Sequence, residues 1–122
     1  MNLTSLEWAA VARLREIFLE GKPLRRAYWE SEADLAAYDL TLGERIGWKW
    51  DAVLAELKRR NWTPLPAGPL VDFGCGSGIA GRRVVAALGE KHFTALQVHD
   101  RSALAEAFSL RRARELFPGL PC

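Results

Sequence analysis

Between Leu70 and Gly81 the chain reads Leu-Val-Asp-Phe-Gly-Cys-Gly-Ser-Gly-Ile-Ala-Gly, and no other stretch restricts its fold so strongly. Leu70, Val71 and Phe73 are the apolar residues of a short buried strand, with Asp72 placing a carboxylate at its carboxyl end. Gly74, Gly76 and Gly78 alternate through the turn that follows. Without Cβ atoms such a backbone takes positive φ and lets a flat ligand lie directly on it. Ile79 begins a helix whose first unpaired N–H groups point at the same spot. In open α/β sheets, ligands bind in this crevice, outside the carboxyl ends of the strands.

The residues after the turn continue the pattern. The helix runs from about Ile79 to Leu88, with Val84, Val85 and Leu88 as its buried side and Gly89 as its C-cap. Phe93 to Val98 reads as a second strand ending in His99-Asp100. Arg101-Ser102 opens a last helix to about Leu116, with Leu104, Phe108 and Leu110 or Ala113 as its apolar side. Strand, helix, strand, helix is the parallel α/β order.

Ahead of the turn the chain is helical. Val11, Leu14, Ile17 and Phe18 recur at helical spacing over residues 4 to 20, with Thr4 and Glu7 as a capping box and Gly21 and Pro23 as the stop. Lys22 to Arg26 is a basic, solvated connector. Ser31 caps a second helix with Leu35, Tyr38 and Leu42 as its stripe, and Glu32 and Asp34 suit its first turn. Gly43 and Gly47 predict a break around Glu44-Arg45-Ile46. A third helix follows from about Trp48 to Arg60, with Trp50, Val53, Leu54 and Leu57 facing inward. Pro64, Pro66, Gly68 and Pro69 make residues 61–69 a stiff linker. The chain therefore divides into a helical segment, 1–65, and a partial Rossmann-like unit, 66–122.

Composition removes several functions. The 122 residues include 17 basic and 15 acidic ones, a net charge of +2, too even to argue for nucleic acid by itself. Cys75 and Cys122 have neither disulfide nor metal spacing, so a reduced, cytoplasmic setting is expected. No apolar run approaches the roughly 18 residues needed to span a membrane, and the start lacks the profile of a signal peptide. Of the five tryptophans, Trp8, Trp29, Trp48 and Trp50 fall in the first fifty residues, where they are expected to build a compact helical core.

Asp72-Phe73-Gly74-Cys75-Gly76-Ser77-Gly78 resembles motif I of the class I S-adenosylmethionine-dependent methyltransferases. That family's second acidic residue, at the end of the next strand, is matched by Asp100 in His99-Asp100-Arg101-Ser102, 22 residues beyond Gly78. The resemblance implies S-adenosyl-L-methionine as cofactor. Gly74, Gly76 and Gly78 would then admit its methionine portion, and Asp72 would orient the amino acid group. Asp100 would accept from the ribose hydroxyls, with Cys75 and Arg101 beside them in the site. A carboxylate suits a diol or an ammonium chemically. Tyr38-Asp39-Leu40-Thr41-Leu42-Gly43-Glu44-Arg45 in the leader is similar to methyltransferase-like proteins of the small ribosomal subunit, which implies ribosomal RNA or that subunit as the methyl acceptor. The cysteine cluster that some of those proteins carry is not present in this sequence.

Two other readings compete. Gly76-Ser77-Gly78-Ile79-Ala80-Gly81 also satisfies the dinucleotide fingerprint, with Asp100 at a plausible distance for a ribose, which would make this an NAD(P)-binding Rossmann protein. A non-catalytic ribosome-assembly or RNA-binding factor with a methyltransferase-like fold is the third. Individual residues have plainer roles as well. Gly81 allows close helix–sheet packing, and Cys75 fills space on the turn. Arg82 and Arg83 face solvent, and the helix dipole accounts for Arg111, Arg112 and Arg114. A methyltransferase sheet has more strands than these two, so the chain is expected to be the front of a larger enzyme. A second chain or residues beyond Cys122 would complete it, and alone it would bind the donor weakly and transfer no methyl group.

Overall fold

The computed structural model describes residues 8–21, 28–62 and 64–122. Among these are five α-helices and a two-stranded parallel sheet: α1 (Trp8–Glu20), α2 (Glu32–Leu40), α3 (Leu42–Arg59), β1 (Gly68–Phe73), α4 (Ile79–Leu88), β2 (Phe93–His99) and α5 (Ala103–Leu116). A single 3-10 turn, Glu90–His92, leads into β2. The mixed α/β class read from the sequence is the one observed. Thr4, Glu7 and the basic connector at 22–26 lie outside the described residues.

Local chemistry explains the boundaries. The Ser31 side chain accepts from the Asp34 N–H and starts α2, and Ser102 accepts from Ala105 to start α5. Gly89, at φ 93°, ends α4 by donating its N–H to the Val85 carbonyl. The expected break at Gly43 and Gly47 is absent, because α3 runs through both and the interruption falls at Thr41. These glycines serve packing instead. A Cβ on Gly43 would lie 3.0 Å from the Tyr38 carbonyl oxygen, and one on Gly47 would lie 2.9 Å from Arg83 Nε. Each lets a neighbour close onto the helix, which offsets the roughly 1 kcal/mol that glycine costs there.

The strands pair in register, Leu70 with Leu96, Asp72 with Val98 and Phe73 with His99, so their carboxyl ends finish side by side. At the other end β1 begins at Gly68, two residues inside the expected linker. Leu70, Leu96 and Val98 turn toward an aliphatic cluster with Val85, Ala113 and Leu120. Val71 and Phe73 do not join it. Both are exposed, Phe73 at 87%, so β1 is covered on one face and not buried on both. Beyond α5 the chain returns to the sheet, and Leu96 donates its N–H to the Pro121 carbonyl at 2.8 Å.

A second cluster gathers Leu14 of α1, Trp29, Leu35 of α2, and Ala105 and Phe108 of α5. It joins side chains from both sides of residue 66. Phe108 is fully buried, and its truncation to alanine would cost about 3–5 kcal/mol. The other three early tryptophans stay out of any core: Trp8, Trp48 and Trp50 are exposed, as is Val53, while Leu54 and Leu57 are half-buried. Leu104 likewise faces outward, and Ala105 takes its expected place inside. Helix α3 is held to α4 by charge as well as packing, since Arg83 bonds Glu44 and reaches Asp51 at 3.0 Å. No described helix is long and apolar enough to cross a membrane.

Candidate functional site

The adjacent strand ends build the site. The Gly74 and Cys75 N–H groups both donate to the His99 carbonyl, at 2.7 and 3.1 Å, and this folds the turn back over β2. Gly74, Gly76 and Gly78 all have positive φ, at 73°, 53° and 79°. The glycines then divide into two kinds. A Cβ on Gly74 would meet nothing within 4 Å, and one on Gly76 would meet only the Trp29 ring, at 3.9 Å. By contrast a Cβ on Gly78 would overlap the Ser109 hydroxyl at 2.0 Å, and one on Gly81 would press on the Asp72 carboxylate at 2.9 Å. The first two leave the backbone open, and the last two bring α4 against α5 and β1.

Asp72 sits at the amino end of α4, where its Oδ2 accepts the Gly81 N–H at 3.2 Å. That bond satisfies one of the orphan donors of the first turn and places negative charge at the positive end of the helix dipole. Even so, burial pushes its carboxyl above the ordinary range, with the Gly81 bond and Arg82 pulling back and Asp100 adding to the rise. Asp100 is tied more fully. Its Oδ2 accepts from Gly76 N and its Oδ1 from Ser102 N, both at 2.9 Å, while its own N–H donates to Glu106. Two backbone bonds occupy two of a carboxylate's roughly four acceptor positions. The others remain for a ligand.

Two cavities meet along the turn. One, of about 330 Å³, lies over Asp72, Gly74, Cys75, Gly76 and Ile79, under a roof of Phe18, Tyr28, Trp29 and Tyr38. The other, of about 500 Å³, is lined by Tyr28, Phe73, Gly74, His99, Asp100, Arg101 and Glu106. Tyr28 and Gly74 belong to both, so the two form one crevice of a size suited to a small ligand. Of the residues singled out in the sequence, Asp72, Gly74, Cys75, Gly76, Asp100 and Arg101 line it. Gly78 does not, being packed on Ser109. His99 is at its rim, tilted against Phe73 with ring centroids 5.9 Å apart.

Cys75 is buried, and its thiol is pushed up to about 12, chiefly by burial and then by Asp100 and Asp72. It stays protonated at neutral pH and serves as filler, not as a nucleophile. Arg82 departs from expectation. It is 7% exposed and is held by the Ser77 carbonyl at 2.6 Å and Asp39 of α2 at 2.5 Å. Arg83 is partly exposed and pairs with Glu44 and Asp51 of α3. Among the described residues no group of three or more His, Cys, Asp or Glu side chains could hold a metal ion.

Sequence reasoning missed the roof and the Arg82–Asp39 tie. Both join residues that lie far apart in the chain, so no local spacing marks them. The one available signal was the aromatic richness of the leader. A further groove of about 380 Å³, between the carboxyl ends of α3 and α4, is lined by Leu54, Leu57, Lys58, Trp62 and Leu88. Lys58 is the one charged side chain that lines it. No protein-family model, curated protein or solved structure matches the chain.

Proposed function

We propose that this chain binds S-adenosyl-L-methionine, as the donor-binding part of a class I methyltransferase with a Rossmann-like sheet. The single observation that carries the reading is the placement of Asp72. Its carboxylate bonds the amino end of α4, the position at which a dinucleotide's pyrophosphate would have to dock. Like charges repel there, whereas the ammonium group of an amino acid tail is attracted. Gly81 pressed against Asp72 is the helix–strand packing that the dinucleotide fingerprint also needs, so the spacing of the glycines alone does not separate the two ligands. The charge does.

The residues present fit the donor. Gly74 and Gly76 leave room against open backbone, Asp72 can take an ammonium, and Asp100 keeps acceptor positions for a ribose diol. The Tyr28, Phe73 and His99 rings bordering the larger cavity suit a flat base. When bound, the donor supplies an electrophilic methyl group. The chain's own contribution is to fix the donor's orientation and keep water from its charged end. Ribosomal RNA as the acceptor rests on the leader's similarity alone.

Isothermal titration of the full chain with S-adenosylhomocysteine, set against the same titration with NADH, tests the proposal. Saturable heat with the nucleoside and none with NADH is expected. Binding of NADH in its place would overturn the assignment.

A further inference from the structure

The chain's charge is nearly even overall, yet folding gathers cations from α1 and α3 at one place. A groove of about 350 Å³ is lined by Arg15 of α1 and by Arg45 and Lys49 of α3. Between them the lining is apolar, with Leu19, Leu42 and Ile46, and no carboxylate belongs to it among the described residues. Phe18, Tyr38 and Ile46 line this groove and the smaller cavity of the glycine crevice alike. The two sites therefore share a wall.

These cations differ from the others in lacking partners. Arg59 and Arg60 pair with Glu56, Arg83 with Glu44 and Asp51, and Arg111 with Glu32. The Arg45 and Lys49 side chains have no such partner among the described residues. Arg15 reaches only Glu16, at 3.7 Å and with both side chains exposed, a pair that contributes little. Arg45 and Lys49 also stand one turn apart on the same face of α3, where like charges repel. An anion in the groove would offset that repulsion. A phosphate, with more oxygens and more charge than a carboxylate, suits three cations drawn from two helices, and arginine matches its geometry. The apolar lining beside the cations suits a flat base.

We infer that the groove bounded by Arg15, Arg45 and Lys49 is a phosphate subsite for a nucleotide that accepts the methyl group, either free or as one unit of a strand. The inference deepens the methyl-donor reading and rests on it for the ligand's role as acceptor. The phosphate site itself rests on the unpaired cations. An acceptor held there has its anchor next to the donor crevice, so affinity for the acceptor and affinity for the donor depend on different side chains.

The test is calorimetric and uses the full chain, with saturating S-adenosylhomocysteine and again without it. Uridine, uridine monophosphate and an oligouridylate are the probes, chosen so that none carries the donor's adenosine. The monophosphate is expected to bind about 10-fold more tightly than uridine, as charge-assisted bonds to phosphate require. The double substitution Arg45→Gln and Lys49→Gln should reduce that ratio to about 2-fold or less and leave S-adenosylhomocysteine binding unchanged. Both side chains are exposed, so the variant folds. Lys58→Gln, which removes another exposed cation of α3, should keep the parent ratio. Oligouridylate binding that is tighter than monophosphate binding and falls steeply with salt assigns the subsite to a strand, and equal affinity assigns it to a free nucleotide. A monophosphate no better than uridine, or a preference that survives the double substitution or is lost equally with Lys58→Gln, would overturn the inference and leave the donor site standing. Phosphate preference in a chain that binds no S-adenosylhomocysteine would support the groove and remove the methyl-donor reading.

Discussion

The two halves of the crevice use the same residue type in opposite ways. In the larger cavity Asp100 gives both oxygens to backbone N–H groups, of Gly76 and Ser102, and holds the turn together. In the smaller one Asp72 spends one oxygen on Gly81, and its carboxyl is pushed upward by burial among apolar walls. Asp100 is chiefly an architectural group that a ligand can share. Asp72 is held at a cost that a cation would relieve. A carboxylate's hydrogen-bond partners, more than its place in a motif, tell which of these it is.

The glycines give the sharpest way to break this contrast. Gly78→Ala drives a Cβ into Ser109 at a positive φ and should destabilise by about 3–6 kcal/mol. Gly74→Ala, with open space around it, should cost only the left-handed strain of about 1–2 kcal/mol. Urea denaturation checks both, and equal losses would refute the division into close-packed and open glycines. Next, Asp39→Ala strands the buried Arg82 charge and should cost about 3–5 kcal/mol by the same measurement.

Smaller effects separate the two acids. Asp100→Asn replaces one acceptor oxygen with an NH2 group facing a backbone donor, a loss of about 1–3 kcal/mol. Asp72→Asn keeps an acceptor for Gly81 and removes a charge that burial disfavours, so the ligand-free protein should become more stable at neutral pH. The sign follows from proton binding. Because the folded carboxyl titrates above its unfolded value, the native state holds more protons in the window between the two. Asp72's contribution therefore falls as pH rises through that window, and the loss is complete above the folded value. Denaturation midpoints from pH 3 upward should show this slope in the parent and not in the variant. Smallest of all, Arg111→Ala removes exposed pairs with Glu32 and Glu115 and should shift stability by less than about 1 kcal/mol.

What could be read from the sequence was local. The bounds of α4, its glycine C-cap, and the serines that start α2 and α5 depend on residues within one helical turn, and all stand as expected. The site residues named from the glycine stretch line one crevice except Gly78. What escaped were contacts whose partner lies far along the chain. Gly47 signalled a break until Arg83 is seen against it, and Arg82 read as a solvated cation until Asp39, 43 residues earlier, is placed beside it. Val71 and Phe73 misled for a different reason. An apolar run fits a strand covered on both faces, and this sheet has helices on one.

The Arg82 guanidinium touches the Ser77 carbonyl with one nitrogen and the Asp39 carboxylate with another, so the turn and α2 share a single bolt. Transplanting residues 68–116 into another scaffold would carry that cation along without its anion and would uncover Phe108 at the same stroke. Whoever moves the glycine turn must move its ceiling with it, or rewrite position 82 first.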